Sequence, residues 1–531
     1  MKTSHITNNI IDQAATQIPT YPLNKHSHSL IQQSLAVSFL SLLVTLPVYA
    51  DSAATIQQRV ITGKSATEHN NSVFLGNGAQ SYALNVPRLQ IDLTSSETEG
   101  HKTGGVYSLP EPVSANQLQW EKVQGGYVAR VKTHAEQAKR LRHHLVFSQE
   151  IPSIVIRLAG NQDVYPLTPI EQQHIHDKAI WLPITNGNQA DLELFVDDHT
   201  PPTATFSIDA VNVIVEEFKD QNSLGVKPKS LGKAQEKEYD LACAAKSADY
   251  QALQQAASAT ALIHFVKNGS TYTCTGTLLN DQKNSGTPWF ATANHCISDQ
   301  ATADSATFEW FYQSVSCNGQ TTDSRYEQTY GGAQLLWADQ YYDGAFLKLN
   351  AQPPNGTFFM GWDTTIQVGE YVWGVHHPKG DHTMVSFGQV SILRQTIDNT
   401  YGQAIFTNRV DYVEGGTESG SSGSGLFSVV DGSALWKGTL FGGPEDYRIS
   451  LYSDFNSYYP NIKQWLAGLS NTAIDQLYTT YQNYFGEKYG NTYTCYENYT
   501  CQDFVNGRAI AQDNYSNVLY WYDGIKWNFY G

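Results

Sequence analysis

The chain runs to 531 residues, too long for one hydrophobic core, so its length alone predicts roughly three or four domains. With 33 Lys+Arg against 50 Asp+Glu the net charge is −17, which argues against nucleic-acid binding, because that function needs a basic face. Only 16% of residues are charged while 12% are aromatic, a balance that leans towards β structure.

The first distinctive element is the apolar run from Leu35 to Ala50. It is too short, and too broken by Ser and Pro, to span a bilayer. It ends in Val48-Tyr49-Ala50 before Asp51, a small-residue cleavage pattern. Residues 1–50 are therefore read as a signal peptide, which predicts a secreted protein with no membrane span after signal removal. From 51 to 226 short apolar runs such as YALNVPRLQIDL, GGYVARV, SIVIRLA and LELFV alternate with Gly, Asn, Asp and Pro. Period-2 runs at this spacing predict a β-sandwich. Residues 227–240 belong to a polar, lysine-rich stretch that reads as an exposed linker open to proteolysis.

Strand-like runs resume from 241 to 469 (ALIHFV, TGTLLN, GAFLKLN, YVWGVHHP), and YPNIKQWLAGLS closes them as a short helix. Residues 470–531 are dense in Tyr and Trp and predict a small β module with an aromatic core, stapled by Cys495–Cys501. The six cysteines all follow the export signal and are even in number, so an oxidising compartment should pair them. None has CxxC spacing, which weakens a zinc reading.

Three patterns carry chemistry. PWFATANHCISD places His295 after a strand, QYYDGAFLKLN places Asp343 at the start of one, and GGTESGSSGSGLFS places Ser422 in a glycine-serine turn. A serine hydroxyl is a poor nucleophile until a base takes its proton during attack. An imidazole suits that task and can return the proton to a leaving amine. A carboxylate on the other ring nitrogen fixes the tautomer and stabilises the imidazolium. The glycines let backbone N–H groups of Gly420 and Ser422 approach a substrate carbonyl as an oxyanion hole. Asp339 is the nearest substitute for Asp343. The adjacent His376 and His377 raise the question of a metal site, but neighbours on a strand face opposite ways, so no metal or other cofactor is expected.

Thr-Ala-Asn-His-Cys resembles the histidine signature of chymotrypsin-type proteases, and the order His, Asp, Ser is also theirs. Closer still, TESGSSGSGLF, VHHPKGD, GWD and LFGGP resemble the bacterial lysyl endopeptidase family over about residues 241–468. The resemblance implies an all-β chain. A trypsin-like double β-barrel would follow the β-sandwich pro-domain and precede the aromatic module. It implies a secreted serine endopeptidase, monomeric, acting on polypeptides. It also implies the bridges Cys274–Cys296 and Cys243–Cys317; both cysteines of a further family bridge are missing. Ser421 stands where trypsin-like enzymes carry an Asp that pairs with the freshly cut N-terminus, so that ion pair is not expected here. The pro-domain would instead assist folding, block the cleft, or both. In the family a carboxylate after Gly-Gly-Pro binds a basic P1 side chain. Glu445 and Asp446 are the two candidates, which implies a preference for Lys or Arg. Phe441 stands where the family often has His, and Gly442 and Gly443 would pair with an extended substrate. The competing reading is an inactive protease-like binding protein working through its aromatic module. The complete set of three residues argues against it.

Overall fold

A computed structural model describes residues 80–216 and 239–529, with short breaks inside both stretches. The expected signal peptide, most of the lysine-rich linker and Glu445 lie outside the described residues. The chain is mostly β, as its composition predicts.

The N-terminal region contributes β1 (Tyr82–Asn85), β2 (His101–Ser114), β3 (Glu121–Val123), β4 (Gly126–His134), β5 (Arg140–Phe147), β6 (Ile154–Ala159), β7 (Val164–Pro169), β8 (Ala179–Trp181), β9 (Thr185–Asn186), β10 (Gln189–Asp197) and β11 (Phe206–Ile214). One sheet has the order β1-β4-β10-β6-β7, with β3 on β4. The other strands, β2, β11, β5, β8 and β9, belong to a second sheet. Inward-facing Val131, Leu158, Leu192 and Leu194 of the first meet Leu141, Leu145, Val211 and Val213 of the second in one apolar core. This is what alternation at period 2 produces when each sheet buries one face.

The second sheet does not stop at the end of this region. Strand β2 also pairs with β13 (Ser270–Leu279). The sheet therefore continues through β12 (Thr260–Lys267), β15 (Thr307–Trp310) and β16 (Glu327–Thr329). From β13 a branch runs through β14 (Trp289–Thr292) and β18 (Gly344–Leu349) to β17 (Ala333–Asp339). Pattern reading treats the two regions as separate units, because periodicity shows that a strand has two faces and not which strand lies on its edge.

The next sheet holds β19 (Gly361–Trp362), β20 (Tyr371–His376), β21 (Met384–Asp398), β22 (Ala404–Glu414), β23 (Gly425–Val430), β24 (Ser433–Gly442) and β25 (Ile449–Ser453). Its order is β19-β24-β23-β20-β21-β22-β25, and β25 pairs back onto β24, so six of the strands close on themselves. Helix α1 (Tyr250–Ala259) precedes β12, the short α2 (Gln300–Asp304) precedes β15, and α3 (Phe455–Leu466) follows β25. The buried residues of α3, Phe455, Tyr458, Ile462 and Leu466, repeat at helical spacing and form one stripe. That stripe joins a core shared by the sheet of β12–β18 and the closed sheet, with Phe290, Phe308 and Trp310 on one side and Trp373, Phe427 and Trp436 on the other. The last strands, β26 (Lys488–Tyr496) to β30 (Trp527–Phe529), form a separate five-stranded antiparallel meander. Three bridges are present: Cys243–Cys317, Cys274–Cys296 and Cys495–Cys501.

Candidate active site

His295 sits in the turn after β14, and Asp343 sits immediately before β18, the partner of β14. Hydrogen bonding between these strands thus delivers the two residues to one end of the sheet. Asp343 Oδ2 lies 2.8 Å from His295 Nδ1, and Asp343 Oδ1 accepts the His295 backbone N–H at 2.9 Å. One carboxylate therefore fixes both the ring and the main chain of the histidine. Asp343 is 2% exposed and holds a left-handed φ of 47°, a conformation that Asp tolerates better than most residues. Asp339, the alternative, instead accepts the Tyr341 amide in its own turn.

Ser422 precedes β23 of the closed sheet. The join to the histidine sheet is Thr275 on β13. Its N–H donates to Ser422 O at 2.8 Å, its hydroxyl donates to Gly420 O at 3.0 Å, and its carbonyl accepts the Thr292 hydroxyl at 2.8 Å. Thr275 was not singled out in the sequence. The only signal is the alternation of Thr271, Thr273, Thr275 and Thr277, all fully buried, along one face of β13. Gly423, at φ 79°, lets the serine turn approach this hub. An added Cβ would lie 2.2 Å from the Thr292 hydroxyl and 2.4 Å from Thr275 O, so no other residue fits. The Phe441 ring, from β24, stands edge-on to the His295 ring at 6.2 Å between centroids. Phe441, His295 and the serine turn therefore share one site.

Two features of this site point to chemistry. Among the described residues, His295 Nε2 is buried and takes no hydrogen bond, while Nδ1 is held by the carboxylate. The amides of Ser421, Gly423 and Ser424 are spent on Glu418 O, Leu440 O and Ser421 O. Those of Gly420 and Ser422 donate to no described backbone group. At Gly442 an added Cβ would meet nothing within 4 Å, so the end of β24 is open to an approaching chain. Gly443 is exposed but packs against Ile449 O. Asp446 is exposed and accepts the Arg448 amide at 3.2 Å.

Cys274, His295 and Cys296 place three potential metal ligands close together, but the two sulfurs are joined to each other. His376 has a serine hydroxyl on each ring nitrogen, and His377 Nδ1 lies 2.9 Å from Asp381 O.

Residues 231–459 match the family model described as lysyl endopeptidase, C-terminal domain, and residues 108–212 match lysyl endopeptidase N-terminal domain. A lysyl endopeptidase of Pseudomonas aeruginosa is 31% identical over 382 residues, covering 68% of this chain and 80% of that protein. The chain belongs to the lysyl endopeptidase family. It is a serine endopeptidase, and the N-terminal sheets correspond to a recognised part of lysyl endopeptidases. Among solved structures, an HtrA-type protease with tripeptide is similar at 18% identity and a TM-score of 0.31, covering 42% of this chain and 64% of that one. The active form of the Rv3671c protease from M. tuberculosis is similar at 16% identity and a TM-score of 0.29, covering 43% and 89%. The family assignment rests on the sequence matches. Among the described residues no helix is long and apolar enough to cross a membrane.

Proposed function

We propose that this lysyl endopeptidase-family chain hydrolyses peptide bonds through an acyl-enzyme on Ser422, with His295 as general base and then general acid. Asp343 holds the imidazole, and the Gly420 and Ser422 amides receive the oxyanion. The observation that carries this reading is the clamp of Asp343 on both His295 Nδ1 and His295 N, which leaves Nε2 without a hydrogen bond among the described residues and so available to the Ser422 hydroxyl. During attack the Ser422 hydroxyl proton passes to Nε2 and then to the leaving amine, while Asp343 stays ionised. Water repeats the cycle on the ester. Replacing Ser422 with Ala should lower kcat/KM by at least about 10⁴-fold, read as loss of peptide cleavage and of fluorophosphonate labelling. Retained cleavage would exclude this nucleophile. Activity should be lost in acid, because an imidazolium cannot accept the serine proton.

The favoured P1 residue is Lys or Arg, read by a carboxylate at 445 or 446. Matched peptides with Lys, Arg or Glu at P1 decide this, and faster cleavage after Glu would overturn it. The protein is exported, and its N-terminal region is a pro-region removed in the Lys227–Lys237 stretch. Strand β2 supports a blocking role. Thr273 pairs with His101 and Tyr272 with Lys102, two to three residues along β13 from Thr275, or about 7–10 Å. Gly100 packs so closely that an added Cβ would lie 2.8 Å from Cys274 Sγ. Cys274 is bridged to Cys296, next to His295. The acyl half of a substrate runs along Phe441–Gly443, so its leaving half passes over this bridge and meets β2. With Lys227, Lys229, Lys233 and Lys237 changed to Gln, the uncleaved chain should hydrolyse a small ester yet cut long peptides at least tenfold more slowly than the processed enzyme. Equal rates on both substrates would end this part of the reading.

A further inference from the structure

Beneath the serine turn, buried side chains form a directional circuit. Ser386 Oγ donates to Gly416 O at 3.0 Å. Its single proton is thereby used, so toward His376 Nε2, 3.0 Å away, it can only accept. Nε2 therefore carries the ring proton. In the neutral ring Nδ1 is then an acceptor, and Ser421 Oγ, 2.8 Å away, donates to it. Ser421 Oγ in turn accepts the Glu418 N–H at 3.3 Å. The circuit leaves the loop at Glu418, crosses one imidazole and returns at Gly416. His376, Ser386 and Ser421 are each 0% exposed. Burial also pushes the His376 imidazole down to about 3, so it stays neutral at any working pH.

We infer that the Ser421–His376–Ser386 circuit is a positioning device that fixes the Gly416–Ser421 loop, and with it the Gly420 and Ser422 amides, without any help from a newly cut N-terminus. The inference rests on the assignment of those amides to the oxyanion. Three contacts hold the segment around the expected cleavage region, one of them on Val385 beside Ser386, but among the described residues none is to Ser421 or to the Gly416–Ser421 loop itself. Tyr239 O accepts the Val385 amide at 2.8 Å, Asp240 Oδ2 accepts the Asn318 amide at 3.1 Å, and Cys243 is bridged to Cys317. Ser421 is already satisfied by a group from the body of the fold, so the loop is set before any cleavage occurs.

The test uses the processed full-length product and its Ser421→Ala and Ser386→Ala variants. Ser421→Ala should lower kcat about tenfold or more with KM little changed, because the amides matter most once the oxyanion has formed. The affinity for a peptide aldehyde, which forms an oxyanion on the serine, should fall by the same factor, while affinity for the cleaved product peptide stays within about twofold. Ser421→Thr, which keeps the hydroxyl, should recover most of the loss. Extending the mature N-terminus by one residue should leave kcat unchanged. Unaltered kcat and aldehyde affinity in Ser421→Ala would overturn the inference, as would loss of activity on N-terminal extension. Fluorophosphonate labelling of Ser422 in the same variants separates these outcomes from failure of the active-site assignment, which would abolish labelling in the parent enzyme too.

Discussion

His264 and His376 are both completely buried histidines, one in each protease-region sheet, and their surroundings are opposites. His264 Nε2 lies 3.1 Å from Glu309, and Glu309 is also bonded to Arg140 of the N-terminal strand β5. Next to it, Arg142 donates to Ser305 O at 2.6 Å across the same junction. The two ring nitrogens of His376 meet the hydroxyls of Ser421 and Ser386. The junction with the N-terminal region thus includes a buried ionic cluster beside its backbone pairing, while the circuit under the serine turn is neutral and drawn from its own sheet and loop. A buried ion pair is strongly destabilising when one partner leaves, whereas a neutral circuit depends on nothing outside itself. The ionic cluster therefore depends on the N-terminal region staying in place, and the neutral circuit does not.

The comparison breaks most readily at Glu309. Glu309→Ala in the full-length chain strands Arg140 in the interior and should cost about 3–5 kcal/mol of stability, read by denaturant unfolding. Arg140→Ala should fall in the same range. Neither should alter the kcat of the folded enzyme. A loss of kcat in proportion to stability would mean that the junction shapes the site as well as the N-terminal region.

Acid separates the two histidine environments further. The His376 imidazole is depressed to about 3 from an ordinary 6.5, and burial likewise lowers His143 and His377 to about 4. The unfolded chain therefore binds more protons than the folded one between these values. The resulting stability is present above about 6.5 and is lost as pH falls towards 3–4. Burial pushes the Glu309 carboxyl up, but the Arg140 charge and the hydrogen bonds from Arg140 and His264 outweigh it and hold it at about 2 from an ordinary 4.5. Its contribution is present above about 4.5 and is lost as pH falls through 2. Denaturant midpoints followed from pH 7 to 3 should therefore begin to drop well above the carboxylate range. His143→Phe should flatten the upper part of that decline, and Glu309→Gln only the lower part. A midpoint flat from pH 7 to 5 would contradict the neutral-histidine assignment.

Much of the site was legible because its chemistry is local in sequence. His295 and Ser422 each sit in a short motif whose glycines, cysteine and flanking strand constrain them. Asp343 follows from order and from the strand it opens. The supporting residues are different in kind. Thr275 looks like any strand threonine until β13 is placed between two sheets. The hydrogen-bond partners of His376 lie 10 and 45 positions away, so no motif contains the circuit. Nothing in the local pattern around Arg140 and Arg142 marks them as buried. Their burial depends on β2 adding to the edge of β13, and nothing in an alternating pattern names the strand that will lie beside it.

The smallest expected effect tests whether the serine loop has an ionic support of its own. Lys379 Nζ lies 2.8 Å from Glu418 Oε2, on the same loop that the His376 circuit holds. That lysine side chain is 47% exposed, so the pair is solvent-screened and contributes about 0–1 kcal/mol. The Lys379 backbone holds the loop independently, since its N–H donates to Ser419 O at 2.7 Å and survives any change of side chain. Lys379→Ala should therefore change kcat by less than about threefold, well short of the loss expected for Ser421→Ala, and 0.5 M salt should have as little effect on kcat. If Lys379→Ala matched Ser421→Ala, the loop would be held by charge at its surface and not by the hydroxyl–imidazole circuit beneath it, and the contrast between the two domains would disappear.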